Sequence, residues 1–298
     1  MTASGAPGNR SYGVFAGSDN NTIGGPAPGS RNVISGNGTN PSVDDEGGIQ
    51  LGHNLGNIVQ NNFIGTDKSG AHALPNGKGV RIFGGINSII GGTSALTGNL
   101  ISGNRVVGIE ITGAAATGNQ IQGNFIGSDV NGNSPIPNAT GVLISSASGN
   151  LIGGTTPGAR NLISGNSQSG VEIDGGNNNQ VQGNFIGTDV TGLVALANQH
   201  GDGIFINGSN AAATNNVIGG TTSDARNVIS GNGLAGVSFI QTSGNLVQGN
   251  FIGVGADGTT AVRNTSFGVV FADGATNNTI GGPRPTLRIV TITVTSSG

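Results

Sequence analysis

Nine ionisable side chains fall within 38 residues of this 298-residue chain: Asp44, Asp45, Glu46, His53, Asp67, Lys68, His72, Lys78 and Arg81. The whole sequence holds only 28 acidic, basic or histidine residues, so this stretch is dense in groups able to exchange protons. Acids, bases and histidine at such spacing suit a glycan site, a cation site or acid–base chemistry. The plain alternative is a pair of solvated loops tied by surface ion pairs. If the region is catalytic, the candidates are Asp44, Asp45, Glu46, His53, Arg81 and Glu110, the last being the neighbour of Arg81 in the following repeat.

Asp67, Asp129 and Asp189 recur within one phrase and so invite a metal-binding reading. Aligning the repeats places them in the column held elsewhere by Asn37, Asn104, Asn166 and Asn232, with Gly255 in the last place. A column filled by Asn, Asp or Gly is a turn position that favours left-handed backbone or a local side-chain bond. Successive aspartates fall two coils apart, ~10 Å, too far to share one ion at ligand distances of ~2.4 Å. No metal is expected. With no cysteine and no Gly-x-Ser-x-Gly, His-Glu-x-x-His or phosphate-loop glycine motif, no cofactor is expected either.

The elements that position these groups follow from three recurring patterns. Asn-x-(Ile/Val)-x-Gly has its apolar residue at Ile23, Val59, Ile90, Ile121, Ile152, Val181, Ile218, Val247 and Ile280, with Ser88 replacing one asparagine. Asn-(Val/Leu/Phe)-Ile and Gly-(Val/Ile)-x-(apolar) each recur once per interval, in a fixed order. Three short strands per repeat with Gly, Asn, Ser and Thr between them describe one coil of a parallel β-helix. Strand alternation sends Val and Ile inward, and coil stacking at ~4.8 Å converts each position into a column along the axis. The asparagines two places before the apolar residue are expected to form internal amide ladders. Alternate coils carry an excursion after Phe-Ile-Gly: Ile64 to Asn76, Ile126 to Asn138, Ile186 to Asn198 and Ile252 to Asn264 are each 12 apart. Constant length predicts ordered arms stacked on one side.

The outward column of the Gly-(Val/Ile) strands reads Phe15, Gln50, Arg81, Glu110, Leu143, Glu172, Phe205, Ser238 and Val270. Arg81 and Glu110 read as a surface ion pair, while Leu143 separates Glu110 from Glu172. Ionisable groups are sparse along this column, which weighs against catalysis. The net charge of −3, without a basic patch, argues against nucleic acid as a partner. No apolar run is long enough to span a bilayer.

The phrases Arg160-Asn161-Leu162-Ile163-Ser164-Gly165-Asn166 and Gly183-Asn184-Phe185-Ile186-Gly187-Thr188-Asp189 resemble those of right-handed parallel β-helix repeat proteins of bacteria, notably secreted or surface-attached ones. The resemblance spans about residues 13–282 and implies an all-β, right-handed parallel β-helix of three-stranded coils, about eight to nine of them, in one domain. Residues 283–298 depart from the repeat as an atypical strand or cap. It also implies an extracellular or cell-surface location. That fold serves polysaccharide lyases, pectin hydrolases, epimerases, tailspikes and adhesins alike. Two functions therefore stand. The leading one is a non-catalytic structural or adhesive rod that binds a glycan and stacks end to end through exposed strand edges. The rival is a polysaccharide lyase, epimerase or glycoside hydrolase.

Overall fold

A computed structural model describes residues 8–38 and 46–282. Three sheets, of nine, nine and eight strands, run side by side along the molecule, and every strand within them pairs parallel to its neighbours. Strand order in each sheet follows chain order with a stride of three, so each circuit of the chain lays one strand on every sheet. This is a right-handed parallel β-helix of about eight coils. The first sheet holds Val14–Ala16, Gly47–Leu51, Lys78–Phe83, Val107–Thr112, Thr140–Ser145, Val171–Asp174, Ile204–Asn207, Val237–Ile240 and Val269–Ala272. The only helical turn among the described residues is Pro157–Ala159.

Inward residues form stacked apolar columns. Val80, Ile109, Val142, Val171 and Ile204 line one column and are at most 1% exposed, as are Ile90, Ile121 and Ile152 in the second sheet. Each such side chain stabilises the fold by about 1.5–3 kcal/mol through burial. Corners between sheets demand backbone that only glycine or asparagine adopts readily. Gly153, at φ +87°, is one such corner, and a Cβ there would lie 1.9 Å from Gln182 O.

Asparagine amides pair buried polar groups from coil to coil along three ladders, one of them at the position where ladders were expected. Asn99 Nδ2 donates to Asn124 Oδ1 at 2.9 Å, Asn124 to Asn161 at 3.1 Å, and Asn161 to Asn184 at 2.9 Å. A second ladder runs through Asn119, Asn150, Asn179, Asn216, Asn245 and Asn278. In it Ser88 replaces asparagine, and Ser88 Oγ is buried without a hydrogen-bond partner. The third ladder corrects the sequence alignment of the aspartates. Asn37, Asn104, Asn166 and Asn232 alternate with Asn76, Asn138, Asn198 and Asn264, the last residues of the excursions. The excursion thus returns to the column it left, and Asp67, Asp129 and Asp189 open the arm instead.

Each arm is a small hairpin, with antiparallel bridges such as Ser128 to Pro135 and Thr188 to Ala195. The arms stack on one another as expected: Val130 N donates to Gly70 O, Val190 N to Gly132 O and Ala256 N to Gly192 O. Inside each arm the aspartate caps the turn. Asp67 Oδ1 accepts hydrogen bonds from Ser69 Oγ and from the Ser69, Ala71 and His72 amides.

Candidate functional site

Charged residues within strands occur in one sheet only. Lys78, Arg81, Glu110, Glu172 and Asp174 all belong to strands of the first sheet, while the strands of the second and third sheets contain none among the described residues. Alternation brings Arg81, Glu110, Glu172 and Asp174 to its outward surface. The outward column holds only part of this charge, because Lys78 and Asp174 lie on the same strands at other positions.

At one end of this surface, Glu110 is clamped by two cations. Lys78 Nζ donates to Glu110 Oε1 at 2.9 Å and Oε2 at 2.8 Å, and Arg81 Nε donates to Oε2 at 2.8 Å. Glu110 and Lys78 are only 7% and 6% exposed. The expected surface ion pair is therefore a buried triad, made so by Lys78 reaching across from the strand start. Arg81 also sits over the Phe83 ring at 4.8 Å, and Phe83 meets His53 edge-on at 4.7 Å between centroids. Both carboxylate oxygens of Glu110 are thus engaged by cations.

The triad is followed, coil by coil, by Leu143, Glu172, Phe205 and Ser238 in strict register. Glu172 is half-buried between two apolar side chains, and burial, aided by the charge of Asp174, raises its carboxyl above the usual carboxylate range. Asp174 shares the outward face two residues along the strand, so the two Cα atoms are about 6.6 Å apart. It accepts hydrogen bonds from Asn207 Nδ2 at 3.1 Å and Asn210 Nδ2 at 3.2 Å. One coil further, half-buried Asp202 is likewise raised by burial, against the opposing effect of hydrogen bonds from the Ala235 amide and Ser238. The outward face thus offers a carboxyl raised by burial, a carboxylate held by two side-chain amides and an aromatic side chain at Phe205 on adjacent strands.

The other sequence candidates disperse. Asp67 and His72 pair at 3.3 Å on an arm, against the third sheet and apart from the first. Glu46 lies at the entrance of the first sheet, where its backbone carbonyl accepts the Lys78 amide and its buried Oε2 has no hydrogen-bond partner. Asp44 and Asp45 lie outside the described residues. His53, Arg81 and Glu110 are the candidates that come together. Asp174 was missed, although Val171-Glu172-Ile173-Asp174 alternates apolar and acidic residues and so puts both acids on one face. Among the described residues no group of three His, Asp or Glu side chains is arranged to hold a metal ion, and no helix is long and apolar enough to cross a membrane.

No family model matches this sequence, and no curated protein does. Solved structures do match in fold. A mutant of the periplasmic alginate epimerase AlgG superposes with a TM-score of 0.51 at 13% identity, over 84% of this chain and 57% of that one. A second AlgG mutant gives 0.50 at 13% identity, over 84% and 55%. The A-module of the Azotobacter vinelandii mannuronan C-5 epimerase AlgE6 gives 0.40 at 14% identity, over 90% and 69%. The chain spans little more than half the length of the AlgG structures. At this identity the likeness establishes a shared right-handed parallel β-helix.

Proposed function

We propose that this protein acts on a polysaccharide laid along the outward face of the first sheet, with Glu172 and Asp174 as its acid–base pair. The observation that carries the reading is the pairing of two unequal carboxyl groups on one strand face. Glu172, its carboxyl raised by burial and by its neighbour's charge, is the proton donor to a glycosidic oxygen in this reading; Asp174, fixed by two asparagine amides, is the carboxylate that activates water. Their Cα atoms stand about 6.6 Å apart on one face, and a carboxyl pair that leaves room for a water between its members, at ~6.5–9.5 Å between the carboxyl groups, inverts the anomeric centre. Leu143 and Phe205 flank Glu172 as apolar surfaces for sugar faces, and the Lys78–Glu110–Arg81 triad carries a net positive charge suited to an acidic residue of the chain.

Polysaccharide-acting neighbours in fold support the substrate class, and the periplasmic setting of one supports a location outside the cytoplasm, where such polymers lie. A non-catalytic adhesive rod that stacks end to end would account for the ladders equally well. It leaves the confinement of strand charges to one sheet without a reason. The test is a panel of acidic and neutral polysaccharides assayed for new reducing ends, unsaturated products and epimerised residues. Release of reducing ends supports hydrolysis; unsaturated or epimerised products keep the site but change the reaction. Silence across the panel overturns the enzyme reading.

A further inference from the structure

Four loops of equal length connect the second sheet to the third, and three of them end in arginine. The sequences Pro26–Arg31, Thr93–Gly98, Thr155–Arg160 and Thr221–Arg226 each precede a ladder asparagine. Arg31, Arg160 and Arg226 lay their guanidinium groups over Phe63, Phe185 and Phe251, at 4.3, 4.3 and 4.1 Å from the ring centroids. Arg160 and Arg226 also donate through Nε to Gly183 O and Gly249 O. The fourth position is Gly98, and the ring beneath it is Phe125.

Two consequences of that one exchange are visible. Gly123 O, the counterpart of the carbonyls bound by Arg160 and Arg226, accepts no hydrogen bond from the described residues. A groove of about 300 Å³ opens there, lined by Arg31, Leu96, Gly98, Gly123 and Phe125 among others. The chain cannot simply restore the arginine, since a Cβ at position 98 would stand 1.9 Å from Gly123 O.

We infer that the groove over Phe125 receives a guanidinium group from outside the chain, the side chain of an arginine on a protein partner. The chain's own three arginines define the pose: a planar cation stacked on the ring, with the carbonyl at its edge. A cation over a phenyl face is attracted by the ring quadrupole, and Arg is its commonest donor. This site lies on the third sheet, so it is independent of the acid–base pair on the first.

Butylguanidinium and its neutral isostere butylurea provide the test, titrated into the intact chain by ¹H–¹⁵N NMR. Saturable shifts confined to residues around Gly98, Gly123 and Phe125, with butylguanidinium binding at least about tenfold tighter than butylurea, support the site. Phe125→Leu is expected to abolish them while leaving the rest of the spectrum unchanged. Uniform incorporation of 4-fluorophenylalanine, which drains the ring face without altering its shape, is expected to weaken binding stepwise if that variant does not fold. Equal binding of the two probes, no saturable binding of either, or preferential binding of a neutral oligosaccharide at Phe125 would overturn the inference.

Discussion

Asp174 stands two residues from Glu172 on the same outward strand face, and its charge adds to the burial that raises the Glu172 carboxyl. Neither acid has this character alone. Glu172 needs the flanking Leu143 and Phe205 to lose water, and Asp174 needs the Asn207 and Asn210 amides to stay fixed in place.

A raised carboxyl makes stability depend on pH with a definite sign. Glu172 favours the folded state fully below its ordinary value of 4.5, and that contribution is lost as pH rises through its higher folded value. Thermal melts of the native chain should therefore decline over that window more steeply than those of Glu172→Gln. Identical slopes would show that Glu172 titrates normally.

The Asp67 carboxylate carries the opposite sign. Hydrogen bonding, chiefly from the Ser69 hydroxyl, lowers Asp67 to about 2, so its support for the arm is present above 3.8 and lost as pH falls through about 2. Amide exchange at Ala71 and His72 should accelerate on acidification in that window, ahead of exchange in the sheets. Asp67 is substantially exposed, so global stability should hardly respond.

Removing Glu110 should cost far more than removing a surface partner. Glu110→Ala takes the shared anion from two cations inside a buried triad, a change worth about 3 kcal/mol by analogy with other buried pairs. Denaturant unfolding measures it. A loss below about 1 kcal/mol would return the triad to the class of exposed ion pairs.

Ser88 interrupts one asparagine ladder and leaves its Oγ buried without a partner. Ser88→Asn should restore the amide chain between Asn57 and Asn119 and stabilise the fold by about 1 kcal/mol. For a chain of this size that is a rise in Tm of about 2–4 °C. Asn150→Ala, in the intact part of the same ladder, should lower Tm, since Asn150 Oδ1 accepts both the Asn119 amide and its side chain.

The architecture was legible because a repeated register speaks several times over. Ile90, Ile121 and Ile152 each announce the same inward position, and the equal 12-residue excursions announce stacked arms. Pairwise geometry was less legible. Reading Arg81 and Glu110 as a surface pair followed from their outward column, and only the placement of Lys78 turned it into a buried triad. Aligning Asp67 with Asn37 failed because sequence spacing cannot tell which residue of an excursion returns to the column. Asp174 was within reach of strand alternation, but Leu143 drew attention to the space between coils instead of along one strand.

The measurement closest to the central claim is product release from a responsive polysaccharide by the native chain, Glu172→Gln and Asp174→Asn, with the melts of all three compared. An acid–base pair predicts folded variants whose rates fall by about 10²–10⁴-fold each, with an inverted anomer as the first product of the native chain. Variants that fold and retain the native rate would contradict it.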